Sequence, residues 1–184
     1  MFSSLFIRRA AMACLTICAA VGAQAGFNFF TSQYSATREE LQTQLVQHFP
    51  LERRYGNLFN VTLHDPQLGL DAANNRIGIT TGVTIQSPLL QTAQGVLTVS
   101  SALRYDPASH SLLLEHPNAD RIELQGLNQT DAQNLQNIGA AVAQALLEGQ
   151  PLHTFRPEEL RMGWKTYEIG EIKVNANGVT VQLK

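Results

Sequence analysis

The sequence is poor in cysteine and has no excess of positive charge. Its 184 residues include 2 cysteines, 13 Lys and Arg residues and 15 Asp and Glu residues, for a formal net charge of -2. Proteins that bind the phosphate backbone of nucleic acids usually carry clustered basic residues. The charge balance therefore argues against nucleic acid as a partner, and the length favours one globular domain over two.

The sequence also lacks the motifs that mark most enzymes and metal sites. It contains no Gly-x-Ser-x-Gly elbow, no Ser-x-x-Lys pair, no glycine-rich phosphate loop and no His-x-x-His or His-Glu-x-x-His pair. Its histidines are scattered, and two of its three glutamate pairs lie where helices are expected to begin. We therefore predict a protein with no enzymatic activity, no catalytic residues, no cofactor and no metal site. The histidines are His48, His64, His110, His116 and His153.

The first 25 residues have the pattern of a secretory signal peptide. Arg8 and Arg9 precede an apolar stretch at residues 10–21, and residues 23–25, Ala-Gln-Ala, have the small-x-small form of a cleavage site. About a dozen apolar residues are too few for a membrane-spanning helix, which needs roughly 20. We expect cleavage to leave residues 26–184 as a single domain in the periplasm, more acidic because two arginines and no acid are lost.

Both cysteines, Cys14 and Cys18, lie in that segment. The mature chain would then have no disulfide and would depend on its packed core. Leu15 stands three residues before Cys18, as in lipid-attachment signals, but Ile17 occupies the position where those signals have a small residue. A secreted periplasmic protein is favoured over a lipoprotein anchored through Cys18.

Apolar residues repeat with helical spacing in two segments. Residues 37–40, Thr-Arg-Glu-Glu, form a capping box that predicts a helix over residues 38–48. A second, alanine-rich helix is predicted over residues 130–148, and Gly149-Gln150-Pro151 would end it. Its small side chains allow either close packing against a sheet, which we favour, or room for a guest molecule.

Between the helices the apolar period changes to two residues. Strands of about twelve residues span roughly 40 Å, so in a small domain the sheet must curl to cover its apolar face. Pro66 and Pro117 fall inside strands, where we expect bulges because proline cannot donate to a ladder. The alternation predicts consecutive antiparallel strands at residues 58–70, 76–87, 94–105 and 111–125.

These elements predict an α+β fold of order α-β-β-β-β-α-β-β. A long, strongly curved antiparallel sheet would wrap around a long α-helix in the C-terminal half, with an additional helix near the N-terminus. A hairpin of residues 167–174 and 178–183 would close the sheet. Residues 26–36, rich in Phe and Tyr, would form an edge strand, and residues 51–57 a solvated turn.

The concave face of this sheet and the second helix would enclose an apolar space. A lipid or other apolar molecule would be held there by burial of its acyl-chain surface. Trp164 is expected to be a half-buried packing residue rather than a contact for a ligand or a membrane. The candidate ligand-lining residues are Leu135, Ile138, Val142 and Leu146 on the helix, and Ile79, Val83, Leu97, Val99, Leu103 and Leu114 on the sheet.

Three segments carry a resemblance to a known family. They are a Tyr-x-x-Thr-x-x-Glu-Leu start at residues 34–41, the alanine-rich helix followed by Gln150-Pro151, and a Gly-Glu-Ile-Lys-Val run at residues 170–174. With the order of elements, they resemble the YceB-like family of bacterial envelope lipoproteins, a domain family of unknown function, over residues 33–184. The resemblance implies a relation to the tubular lipid-binding (TULIP) superfamily, in which a curved sheet wraps a long helix and leaves an apolar groove. Ile17 departs from the family's lipoprotein signal.

We therefore expect an exported protein of the cell envelope that binds a lipid or other hydrophobic ligand between sheet and helix, with the membrane surface as a further partner. The alternative is a structural or adaptor protein that holds a protein partner through exposed strand faces and the aromatic residues Phe27, Phe29 and Phe30. An enzyme would require two histidines and a carboxylate to converge in one pocket.

Overall fold

The computed structural model describes residues 26–28, 32–55, 59–88, 92–125, 129–162 and 164–184. The predicted signal peptide lies outside these ranges, as do Phe29 and Phe30. The helices in the described residues are α1 (Arg38–Gln47) and α2 (Gln129–Leu147). The strands are β1 (Gly26–Asn28), β2 (Gln33–Thr37), β3 (Leu51–Tyr55), β4 (Phe59–Asp71), β5 (Arg76–Gln86), β6 (Ala93–Asp106), β7 (Ser111–Gln125), β8 (Pro151–Thr154), β9 (Arg161–Met162), β10 (Lys165–Thr166), β11 (Ile169–Asn175) and β12 (Gly178–Leu183).

The α+β class predicted from the sequence is wrong, because the chain is mostly β. Its largest sheet has six strands in the order β3-β4-β5-β6-β7-β8 and curls into a half-barrel. The helices are short, with 10 and 19 residues, and the sheet does not wrap around a long helix in the C-terminal half. The physical reason is that short segments without alternating apolar residues, such as β3 and β8, become strands by pairing with the edges of the long ones.

The four long strands themselves are confirmed to within two residues at each end. All pair antiparallel with their neighbours, and the residues that alternation places on one face of β5, Ile77, Ile79, Val83 and Ile85, are buried. The expected solvated turn at residues 51–57 is wrong, because it contains β3, which pairs with the first residues of β4.

Bulges occur at both prolines inside strands, as predicted. The register of β4 against β5 shifts around Pro66, and that of β7 against β6 shifts around Pro117. The preceding residues, Asp65 and His116, have positive φ angles of 52° and 48°. A bulge bends its strand and increases the local twist. The bulges therefore help strands of 13 and 15 residues to curl.

The terminal hairpin does not close the half-barrel, so this expectation is wrong. β11 and β12 join β2 and β1 in a separate four-stranded sheet of order β1-β2-β12-β11. Asn75, in the turn between β4 and β5, links the two sheets. Its side chain donates to the carbonyl of Ile172 at 3.2 Å and accepts from the amide of Val174 at 2.7 Å.

The capping box predicted for α1 is present. The Thr37 hydroxyl accepts from the amide of Glu40, and the Glu40 carboxylate accepts from the amide of Thr37 at 3.0 Å. The helix buries Leu41 and Leu45 in the core.

α1 also covers the bulge at Pro66. The side-chain amide of Gln42 donates to the carbonyl of Pro66 at 2.7 Å and accepts from the amide of Leu68 at 2.7 Å. A bulge takes backbone groups out of the ladder, and buried backbone groups without partners are costly. Gln42 supplies the bonds that the bulged part of β4 needs.

α2 lies across the concave side of the half-barrel. It runs back along β7 and also contacts β3 and β4 near the opposite edge of the sheet. Its C-terminal end is fixed to β7, because the amide of Gly149 donates to the carbonyl of Leu114 at 3.0 Å and the amide of Leu114 donates to the carbonyl of Gln150 at 2.9 Å. Gly149 has a φ of 74°, which suits glycine after a helix.

We predict that Gln42→Ala destabilises the protein by roughly 1–3 kcal/mol, because the carbonyl of Pro66 and the amide of Leu68 lose their partner. The control is Gln47→Ala, at an exposed position of the same helix; it should change the free energy of unfolding by less than about 0.5 kcal/mol. Urea unfolding measures both. Equal effects would show that the bonds to the bulge do not stabilise the fold.

Candidate functional site

The candidate site lies between α2 and the concave face of the half-barrel. Most of the predicted lining residues whose side chains are described are buried in one apolar cluster there: Ile79, Val83, Leu97, Val99, Leu114, Val142 and Leu146. Leu103 is half-buried and packs against the same cluster. The side chains of Leu135 and Ile138 lie outside the described part of the chain. The structure thus brings the described candidates into one core, and their role toward a ligand stays a prediction.

At the middle of α2, helix and sheet are in direct contact. A Cβ atom on Gly139 would lie 3.2 Å from Cδ1 of Ile122 and 3.6 Å from Cδ1 of Ile85. Ala143, one turn further along, is fully buried. The small residues on this helix allowed two interpretations, close packing against the sheet or room for a guest molecule. At Gly139 and Ala143 the structure shows close packing.

The end of the half-barrel where α2 begins is different. Tyr55 and Phe59 are partners in the first pair of β4, and both are half-buried against the core. The hydroxyl of Tyr55 is buried and has no hydrogen-bond partner among the residues that the structure describes. Burying a hydroxyl without a partner is costly, and such groups call for an explanation. No sequence pattern pointed to this group, since residues 51–57 were expected to form a solvated turn.

A surface cleft of about 360 Å³ opens at the same end of the sheet. Two further clefts, of about 580 and 420 Å³, lie along α1 and beside β2 and β12, and none of the three is lined by α2. Polar and apolar groups meet in the cleft near Tyr55, which suits the boundary between a polar headgroup and an apolar chain. Its lining residues are Arg54, Phe59, Asn60, Gln86, Ser87 and Pro88.

A second group of buried polar residues lies at the opposite end, between β8, β2 and α1. The ring of His153 is buried, and within the described part of the chain neither of its nitrogens has a hydrogen-bond partner. It packs against Phe155, with ring centroids 4.7 Å apart, and against Tyr34, at 5.7 Å. The Tyr34 hydroxyl donates to Oε1 of Glu159 at 3.3 Å.

The titratable groups of this cluster are shifted by burial and by their neighbours. Burial lowers the pKa of His153 and outweighs the charges of Glu159 and Glu40, which raise it. Burial, followed by the charges of Glu159 and Glu40, raises the pKa of Tyr34. Burial alone would raise the pKa of Glu159, but hydrogen bonds from the backbone and guanidinium of Arg156 hold it below its usual value. The cluster therefore holds a neutral imidazole beside an ionised carboxylate.

The contacts of His64 are arranged as in a hydrolase triad, with a carboxylate at one ring nitrogen and a hydroxyl at the other. Its Nδ1 lies 2.7 Å from Oδ2 of Asp65, and its Nε2 lies 3.3 Å from the hydroxyl of Thr84. The ring lies over Gly82, where a Cβ atom would collide with it. The group is on the outer face, and none of the three clefts includes it. Nucleophilic catalysis also needs donors aimed at an oxyanion, so we assign these contacts to the bulge at Pro66.

The expectation of a half-buried Trp164 is wrong. The residue is 98% exposed, at the tip of the hairpin formed by β9 and β10. From the sequence alone, a tryptophan is expected to pack against other side chains. Only the fold shows that Trp164 lies on a separate hairpin.

Two negative findings hold for the described residues. No helix among them is both long and apolar enough to cross a membrane. Within the same ranges, no three His, Cys, Asp or Glu side chains come together as ligands for a metal ion.

We predict that the protein loses stability as the pH falls below about 6.5 because of His153. Its pKa is lower in the folded than in the unfolded chain, whose ordinary value is 6.5, so the unfolded chain binds more protons below that pH. Unfolding free energies measured between about pH 7 and 5 should fall less steeply for His153→Leu than for the wild type. Leu152→Ala, which changes a buried residue of the same strand without removing a titratable group, is the control and should keep the wild-type slope. An unchanged slope in His153→Leu would refute the assignment.

None of the curated proteins compared with the chain matches it. A sequence model of a protein family does match, over residues 36–177, which cover the described elements from the end of β2 to the turn between β11 and β12. The match includes α1, the whole six-stranded sheet and α2. The chain therefore belongs to the family described as "Protein of unknown function (DUF1439)".

Proposed function

We propose that the chain is an exported protein of the cell envelope that binds a lipid or a similar hydrophobic molecule between α2 and the concave face of the half-barrel. Export to the periplasm rests on the signal pattern of residues 1–25, which precedes a single domain of residues 26–184. The proposed relation to YceB-like and tubular lipid-binding proteins rests on the resemblance described above. The proposal includes no catalytic activity, no cofactor and no anchoring through Cys18.

The buried hydroxyl of Tyr55 is the observation that carries the proposal. It lies at the end of the sheet where α2 begins, next to half-buried Phe59 and close to a cleft with polar walls. An ester or headgroup oxygen in this position would accept a hydrogen bond from Tyr55, while the acyl chain would extend along the apolar face of the sheet. Burial of the chain contributes about 25 cal/mol per Å².

The contact at Gly139 means that α2 and the sheet are closed on one another at that level. α2 is held at its C-terminal end by the backbone bonds to Leu114, and it begins at the end that carries Tyr55. Separation of the two layers from the Tyr55 end would first part Gly139 from Ile122 and Ile85, while Val142 and Leu146, which lie nearer the fixed end, would keep their contacts. A ligand that binds the open form better shifts the population toward it.

The proposal is tested on protein isolated from the cell envelope. Native mass spectrometry, followed by solvent extraction and identification of the extract, should reveal a stoichiometric lipid or other apolar molecule. A preparation that carries none, and that also fails to take up a fluorescent fatty acid, would refute it.

We predict that Gly139→Leu lowers the amount of bound fatty acid about fivefold or more, because the new side chain fills the space between α2, Ile122 and Ile85. The matched control is Ala141→Leu, which adds a leucine at an exposed position of the same helix. It should bind like the wild type. Equal binding by both variants would place the ligand elsewhere. Circular dichroism on both checks that the fold is kept.

We further predict that Tyr55→Phe weakens fatty-acid binding roughly threefold to tenfold, the loss expected for one hydrogen bond. In the ligand-free protein the same variant should be as stable as the wild type or more stable, because it removes a buried hydroxyl that has no partner. Affinity comes from a fluorescence titration and stability from urea unfolding. A variant that is destabilised without ligand, with affinity unchanged, would show that the hydroxyl serves the fold.

A further inference from the structure

Trp164 is the most exposed large apolar side chain among the described residues. It is 98% exposed, whereas the next two, Val46 and Val96, are 48% and 46% exposed. It is also the only tryptophan in the sequence. An isolated surface valine needs no explanation, but a tryptophan side chain can bury an area of roughly 150–250 Å². Full exposure of such a side chain indicates a surface that meets a partner.

The hairpin that carries Trp164 stands apart from the other sheets. β9 and β10 pair only with one another in the described structure, in the register Lys165 with Met162 and Thr166 with Arg161. Trp164 directly precedes β10 and therefore lies at the end of the hairpin where the two strands are joined.

The charged residues that stand nearest to Trp164 in the sequence are basic, in a chain whose net charge is negative. Arg161 and Lys165 lie within three residues of Trp164, while the formal charge of the whole chain is -2. The carboxylate of Glu159, in the preceding turn, is paired with the guanidinium of Arg156 at 3.0 Å. The acidic residues next along the chain are Glu158, six residues before Trp164, and Glu168, four residues after it.

We propose that the Trp164 hairpin docks the protein on a membrane surface that carries anionic headgroups. Tryptophan is enriched at membrane interfaces, because its ring is apolar and its N–H is polar, and basic residues beside it are attracted to anionic lipids. A stable protein interface buries about 800 Å² on each partner, far more than a hairpin of two-residue strands offers. A bilayer needs no complementary shape. The proposal does not depend on a ligand under α2.

Because Trp164 is the only tryptophan, its fluorescence reports directly on the hairpin. The full chain is titrated with vesicles of equal parts phosphatidylglycerol and phosphatidylcholine, and with vesicles of phosphatidylcholine alone. We expect the emission to shift to shorter wavelength with the anionic vesicles, and lipids brominated near the headgroup to quench it. An emission that stays unshifted while the protein co-sediments with the vesicles would overturn the proposal, since another segment would then hold the membrane.

Variants test separately how much the tryptophan side chain and the basic residues contribute to vesicle binding. Trp164→Ala should weaken co-sedimentation with the anionic vesicles about tenfold, and Arg161→Gln with Lys165→Gln should weaken it about fivefold for each charge removed. Arg38→Gln with Arg53→Gln, which removes the same charge from exposed positions of α1 and β3, is the matched control and should bind like the wild type. Equal losses in the two double variants would overturn the local role of the hairpin. An emission shift that depends on protein concentration without vesicles would assign Trp164 to contact with a second copy and overturn it as well.

Discussion

The apolar inner face of the long strands is the constraint on which the rest of the structure depends. Strands of 11 to 15 residues, with every second side chain apolar, present a wide surface that must be removed from water. The sheet meets this need by curling into a half-barrel and by placing two helices across its inner side. α2 crosses between β7 and the β3–β4 edge, and α1 lies between β4 and β8. The four-stranded sheet then meets the turn between β4 and β5 through Asn75.

Curling of the sheet requires bulges, which take backbone groups out of the ladder of hydrogen bonds. Side chains on or next to the helices supply bonds to these groups. The bulge at Pro66 leaves a carbonyl and an amide outside the ladder, and both are bonded by the side chain of Gln42 on α1. The helix that covers the sheet therefore also completes the strand that bends beneath it. At the other bulge, the amide of His116 donates to the carboxylate of Glu148, just after the end of α2. Each helix is thus tied to one bulged strand by a side-chain bond.

The parts of the fold that could be predicted are those fixed by local chemistry. Alternation located the four long strands, the capping box at Thr37 located α1, and proline located both bulges, because each of these effects acts within a few residues. β3 could not be found in this way, since Glu52, Arg53 and Arg54 have no strand pattern and become a strand by pairing with β4. The terminal hairpin was found, and a strand was expected within residues 26–36, but the pairing of β12 with β2, more than a hundred residues away in the sequence, was not predicted. The predictions of fold class and sheet topology failed because both depend on pairing between segments that are far apart in the sequence.

The same distinction applies to the candidate site. The alternation of apolar residues predicted which side chains of the sheet lie in one cluster. It could do so because the face on which a strand residue lies depends only on its neighbours in the sequence. The orphan hydroxyl of Tyr55 and the exposure of Trp164 had no local signal, since both depend on which elements cover a residue and which do not. These are the two features on which the functional proposals rest, and neither follows from the pattern that predicted the core.

The two features lie toward opposite ends of the half-barrel, and this separates their roles. Tyr55 pairs with Phe59 at the end where β7 finishes and α2 begins. The Trp164 hairpin follows β8, which pairs with the start of β7, and the amide of Tyr167 after the hairpin bonds to the carbonyl of Leu160 before it. The two proposals therefore rest on separate parts of the molecule and share no residue. Because one depends on how β3 pairs with β4 and the other on how β9 pairs with β10, either could fail without the other.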